Sequence, residues 1–183
     1  MRRTRKNLLE LAAGYAAERR APINTIVKEI LHYEILFALV ESGAAERLVF
    51  QGGTALRLCY QGNRYSEDLD FAGGGNFDRH IMAAFVDLLE AQVSQAYGLE
   101  MSVKEKTDSL GGDGIGVGRW QMRIQVPQSN PSLPQRQVIN VEVAEVPAHD
   151  VDISIVAANY DHLPPQFRSI LVPSESLDEI LAD

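Results

Sequence analysis

The sequence has 183 residues, 45% hydrophobic and 23% charged, with 17 basic and 25 acidic side chains for a formal charge of −8. That length holds one domain with a real core, and the acidic balance argues against a broad nonspecific nucleic-acid surface. No apolar run is long enough to span a bilayer, and the single cysteine, Cys59, rules out an intramolecular disulfide framework and fits a reducing, cytoplasmic setting.

Arg2, Arg3, Arg5 and Lys6 look like the basic start of a signal peptide, but Glu10, Glu18, Arg19 and Arg20 interrupt the apolar stretch that would have to follow. The same basic end has two readings: a contact for RNA or an acidic partner, or a solvated helix face. Residues 5–19 predict a helix, broken at Ala21-Pro22. A second helix runs from Asn24, an N-cap type, to Gly43, a C′ type, with Val27, Ile30, Leu31, Tyr33, Ile35, Leu36, Leu39 and Val40 on a broad apolar face. Residues 47–51 predict a short strand that ends at Gly52-Gly53, and 54–60 a short helix. A turn at Gln61-Gly62-Asn63 leads to a second strand at 68–72. Residues 77–97 predict a third long helix, with Ile81, Ala84, Phe85, Leu88, Leu89 and Val93 inward. The periodicity then changes from helical to alternating. Strands are expected at 100–106, 117–126 and 137–146, with a turn at 111–114 and a proline-rich loop at 127–134. One more strand is expected at 151–156, and a helix start at 174–182. The class is α/β (α+β), a mixed sheet flanked by helices. Residues 1–45 are read as N-terminal helices packing on a core of 46–183, the whole treated as one domain.

The chemistry concentrates in Phe50-Gln-Gly-Gly-Thr-Ala-Leu-Arg-Leu58 and Arg64-Tyr-Ser-Glu-Asp-Leu-Asp-Phe71. Side chains two apart on a strand share a face. Asp68 and Asp70 therefore point together, while Leu69 and Phe71 point into a core. Two converging carboxylates repel each other unless a cation sits between them, and a hard, oxygen-loving ion such as magnesium suits them. An isolated Asp-x-Asp is common and is more often just a solvated strand edge. The upstream segment shifts that balance. Gly52-Gly53 lets backbone approach a phosphate with no Cβ in the way, the helix start offers free N–H groups and a positive dipole end, and Thr54 adds a hydroxyl. A phosphate cradle beside a metal site supplies the charge neutralisation and alignment that phosphoryl or nucleotidyl transfer requires.

These residues resemble a known family. Gly52-Gly53-Thr54-Ala55-Leu56 with Arg64-Tyr65-Ser66-Glu67-Asp68-Leu69-Asp70-Phe71 looks like the signature of the AbiEii/AbiGii-type nucleotidyltransferase toxins, within the DNA polymerase β-like superfamily. The resemblance is specific across 48–72 and looser over most of the chain. It implies a polymerase β-like core and a third carboxylate on a later strand, a role that falls to Glu142 in Val138-Ile-Asn-Val-Glu142-Val-Ala. Glu145 is the runner-up, on the opposite face by strand parity. It implies that two magnesium ions join Asp68, Asp70 and Glu142 to an NTP whose phosphates rest on Gly52, Gly53 and Thr54. Arg64 matches the motif as a neutraliser of triphosphate charge, and Ser66 as a further nucleotide contact or a shaper of the turn. The implied reaction moves an NMP to a hydroxyl, at the 3′ end of tRNA or on a protein. The implied setting is the toxin half of a toxin–antitoxin or phage-defence pair, with a cognate antitoxin. Members of this branch continue past a stretch like Leu177-Asp-Glu-Ile-Leu-Ala-Asp183 into a lysine and a helical C-terminal part, whereas this sequence stops at Asp183. The rival reading is the same fold holding nucleotide or partner without turnover. A third is a structural domain with a solvated Asp-x-Asp, which would bind no divalent metal.

Other signals carry less. Gly114-Ile-Gly116-Val-Gly118 lacks the strand-to-helix context of a dinucleotide loop and reads as turn and strand. His32, His80, His149 and His162 have no metal-ligand spacing, and solvent or ordinary hydrogen bonding accounts for them. Cys59 reads as a small packed side chain, and Tyr60 and Tyr65 as site walls or core rather than stacking platforms.

Overall fold

Asn7 opens the first helix, α1 (Leu8–Arg19), by accepting hydrogen bonds on its side-chain oxygen from the N–H groups of Leu9 and Glu10, at 3.1 and 3.3 Å. The computed structural model describes residues 7–106, 114–127, 131 and 134–182. The N-terminal cations Arg2, Arg3, Arg5 and Lys6, most of the expected turn at 111–114 and part of the proline-rich loop lie outside the described residues. α1 closes on Arg20 in the left-handed region (φ 53°). The next helix, α2 (Ile23–Glu41), begins one residue before Asn24. Pro22 holds the N-cap position, with its fixed φ in place of a side-chain hydrogen bond. α2 is buried almost all round, including Glu29, His32 and Glu34 among its aliphatic residues. Such a helix belongs to the core rather than to the surface.

Gly43, at φ 80°, ends that helix, and Ala44–Arg47 form a 3₁₀ turn where a strand was expected to begin. β1 (Val49–Gln51) follows and runs directly into α3 (Gly52–Tyr60), which starts two residues earlier than Thr54. β2 (Leu69–Ala72) comes after the loop at 61–68. α4 (Met82–Tyr97) is shorter than expected, because Asp78 caps a separate 3₁₀ turn at Arg79–Ile81. The alternating region forms β3 (Met101–Lys106), β4 (Val117–Gln125), β5 (Arg136–Ala144) and β6 (Val151–Ile155). β7 (Leu171–Glu175) is a strand that was not expected, and the helix expected at 174–182 is α5 (Leu177–Ala182), which begins three residues later.

The seven strands make one mixed sheet in the order β3-β4-β5-β2-β1-β7-β6. β2 runs parallel to β5 and β1 parallel to β7, and the other neighbours are antiparallel. The period-2 pattern sorts the faces. Phe50, Leu69, Phe71, Trp120, Met122, Ile139, Val141 and Val143 are all buried and share one face by register. They join one apolar cluster with α1, α2 and α4, in which Phe50 and Phe71 stack at 5.0 Å. The alternate positions Arg119, Gln121, Arg123, Asn140, Glu142 and Asp70 are only half-buried and form a polar opposite face. Among the described residues, no helix is long and apolar enough to cross a membrane.

Candidate functional site

Register across three strands brings the expected carboxylates together. Asp70 on β2 is the direct partner of Gln51 on β1 and of Glu142 on β5. Asp68, just before β2, lies one pleat repeat away on the same face. Burial pushes the Asp70 carboxyl up to about 6, and the negative charges of Glu142 and then Asp68 add to the shift. Glu145, the runner-up, faces the other way, ion-paired with Arg79 at 3.3 Å.

The glycine pair is tied to these acids by space. Gly52 adopts φ +74°, and a Cβ there would stand 2.9 Å from Oδ2 of Asp70. A Cβ on Gly53 would meet Oγ of Ser66 at 3.3 Å. Both positions leave the start of α3 open beside the acids, and no side chain caps that helix, so its first N–H groups remain unsatisfied by capping. Thr54 has a different job from the expected phosphate donor. Its hydroxyl donates to the main-chain carbonyl of Asp68, and a hydroxyl has one proton to give. It braces the strand that carries the aspartates. Arg64 is exposed, with no side-chain hydrogen bond or ion pair among the described residues, and Ser66 is half-buried beside Gly53.

Two of the three carboxylates already have partners. Asp68 accepts from the backbone N–H of Asn140 at 2.9 Å and from its side-chain amide at 3.2 Å. Glu142 pairs with Arg119, its cross-strand neighbour on β4: Nε lies 2.7 Å from Oε1. That Nε is buried and meets no hydrogen-bond geometry, so the contact is one of charge. Among the described residues, no three His, Cys, Asp or Glu side chains converge as a ready-made metal cluster. Sequence reasoning missed Asn140 and Arg119. The signal for Asn140 was its parity with Glu142, two residues upstream on the same strand. Arg119 offered only alternation with Trp120 and Met122.

Behind the site a buried network fixes the loop between α3 and β2. Arg57 donates to Glu29 at 2.6 and 3.0 Å and to the Gly62 carbonyl at 3.0 Å. Its guanidinium lies 3.9 Å from the ring centroid of Tyr65. The Tyr160 hydroxyl donates to Glu29 at 2.9 Å. His32 is buried with its Nε2 at 2.8 Å from the Glu67 carbonyl, and burial lowers its pKa despite that bond. Tyr60 donates to the Glu175 carbonyl at 2.6 Å, and burial raises the Cys59 thiol to about 12; both side chains serve packing. On the same sheet, away from the acids, Ser102, Lys104, Arg123, Gln125 and Arg136 help line a cleft of about 520 Å³ at the β3 edge. None of the site's carboxylates lines it, so cleft size alone does not mark the chemistry.

The comparisons with known proteins bear on the fold and the family. Among solved structures, a candidate nucleotidyltransferase from H. pylori is 22% identical, with a TM-score of 0.51 over 85% of this chain and 55% of its own. JHP933 from Helicobacter pylori is 21% identical, with a TM-score of 0.52 over 86% of this chain and 54% of its own. At those identities the likeness is one of fold, and the chain spans about half the length of those structures. No curated protein matches the sequence. Residues 34–183 match the family described as nucleotidyl transferase AbiEii toxin, Type IV TA system. With that match running through every strand of the sheet, the chain belongs to the AbiEii nucleotidyl transferase toxin family.

Proposed function

We propose that the protein transfers a nucleoside monophosphate from an NTP to an acceptor hydroxyl, at a centre built on Asp68, Asp70 and Glu142. The observation that carries this reading is the direct register of Asp70 with Glu142, beside a glycine-opened helix start. The donor set is all carboxylate oxygen, which suits magnesium, and the space a Cβ on Gly52 would fill lies against Asp70 Oδ2. Two magnesium ions held there would neutralise triphosphate charge and polarise the reacting phosphorus. Asp70 would help hold the ions, because a cation would relieve its crowded carboxylate. Asp68 offers its second lone pairs while Asn140 keeps it oriented. The N–H groups of Gly52 and Gly53 and the N-terminus of α3 take the phosphates, and exposed Arg64 meets their outer charge. Ser66, beside Gly53, contacts the nucleotide or holds the turn.

The acceptor is an RNA end, such as the 3′ end of tRNA, or a protein hydroxyl. The β3 cleft carries Lys104, Arg123 and Arg136 together with Glu90 and Glu100, and so does not choose between them. As a member of a toxin family the chain is read as one half of a toxin–antitoxin or phage-defence pair in the cytoplasm, with a cognate antitoxin. A second reading, nucleotide or partner binding without turnover, is favoured by the engagement of Asp68 with Asn140 and of Glu142 with Arg119. Pyrophosphate release from each NTP, with magnesium and bulk tRNA, separates the two. Transfer lost in a folded Asp68→Asn protein supports the first; turnover unchanged by that substitution rules out the assigned centre.

A further inference from the structure

Arg119 is the one cation in contact with the three carboxylates among the described ion pairs. It reaches Glu142 from the neighbouring strand, directly opposite in register, with Nε 2.7 Å from Oε1. Two features set this pair apart from an ordinary surface salt bridge. The Nε atom is buried yet makes no hydrogen bond, so the guanidinium is held by charge in a position its hydrogen-bonding geometry does not favour. Glu142 meanwhile stands in register between two strands, opposite Arg119 on β4 and Asp70 on β2. Arg123, four residues on along the same face of β4, is engaged differently, donating to Gln121 at 2.9 Å.

We infer that Arg119 is a resident counter-cation that occupies Glu142 until a divalent ion displaces it. This inference rests on the metal-site reading above. In the metal-free state the pair keeps Glu142 neutralised and the ligand set open. Metal entry transfers Glu142 from the guanidinium to the ion, and Arg119, 42% exposed along its side chain, swings free on the polar face. Arg119 is thus a positioning residue that sets the divalent-ion threshold of the site.

The test is direct titration with Mn2+, read by electron paramagnetic resonance of the free ion, on the whole chain without nucleotide. Arg119→Gln is expected to bind Mn2+ about fivefold more tightly than wild type, the scale of one half-exposed ion pair. Arg119→Lys, which keeps the charge but not the fork, should lie between them. Arg123→Gln removes the same charge from the same strand face and is expected to change affinity by less than about twofold. Equal gains in Arg119→Gln and Arg123→Gln would reduce the effect to general field and overturn the inference, while leaving the metal site standing. Weaker binding in Arg119→Gln would overturn it too. Absence of Mn2+ binding in all four proteins would remove the metal site and this inference together. Matching thermal unfolding of the variants and wild type shows that each is folded.

Discussion

Asp70 and Glu142 face each other across the parallel β2–β5 ladder as register partners. A parallel pair places its side chains on one face, so two acids from segments far apart in sequence share a single half-buried patch. Residues that build a core alternate with them on the same strands, which makes the patch rigid without any help from a ligand. Rigid crowding of like charge costs stability, and that cost has a measurable pH signature.

The Asp70 carboxyl stands at about 6 against an ordinary 3.8. The folded chain therefore holds this proton more tightly than the unfolded chain does. Above about pH 6 the ionised group destabilises the fold, and the cost fades as pH falls toward 3.8. Asp70→Asn is expected to raise stability at pH 7.5 by on the order of 1 kcal/mol, after allowing for partial exposure. The gain should shrink to a fraction of that by pH 4. Buried His32 runs the other way, because its lowered pKa makes stability fall as pH drops below its ordinary 6.5. Comparing the two proteins at each pH cancels that contribution. Urea midpoints at the two pH values are the measurement; an Asn variant less stable at pH 7.5 would contradict the crowding.

Gly52 and Gly74 both adopt positive φ, at 74° and 78°, but only Gly52 has a close neighbour in its path. Alanine at either position pays the left-handed backbone penalty, about 1–2 kcal/mol. Gly52→Ala additionally pushes Asp70, whose Oδ2 would lie 2.9 Å from the new Cβ. The two variants should melt at similarly lowered temperatures, while Gly52→Ala alone loses magnesium-dependent nucleotide affinity. Equal nucleotide affinity in both would separate the glycine from the site.

The Glu29–Arg57 pair is buried on both sides. Removing one partner strands the other charge. Glu29→Ala is expected to destabilise the protein by about 3–5 kcal/mol, with faster amide exchange in residues 61–66, since Arg57 would release the Gly62 carbonyl and Tyr65. A loss below about 1 kcal/mol, with exchange unchanged, would show that the loop is held by something else.

The sequence made the aspartates legible because the period of a strand puts Asp68 and Asp70 on one face whatever the strand's neighbours are. Gly52-Gly53 was legible because strand-to-helix turns need the freedom that glycine provides. Arg119 was not, since its partner is set by which strands pair and in what register, and periodicity within one strand does not contain that. Asn140 lay within reach, through its shared parity with Glu142. β7 was missed because Pro173 normally demotes a strand. Here the ladder to β1 consists of the single pair Phe50 and Ser174, and Pro173 sits opposite Ile153 on the β6 side. His32 was read as meeting solvent or an ordinary hydrogen bond, and the structure buries it with its Nε2 at the Glu67 carbonyl. Thr54 lies in the first turn of a helix that starts two residues earlier than expected, and its hydroxyl turns inward to the Asp68 carbonyl, a choice made by the tertiary approach of β2.

Asp70 and its neighbours are proposed to form a magnesium-dependent nucleotide site. Calorimetric titration of the chain with each of the four NTPs, with and without magnesium, in wild type and Asp70→Asn, tests it most directly. Magnesium-dependent binding of at least one NTP, lost in the variant, is expected. Binding that is indifferent to magnesium, or that survives Asp70→Asn unchanged, would contradict it.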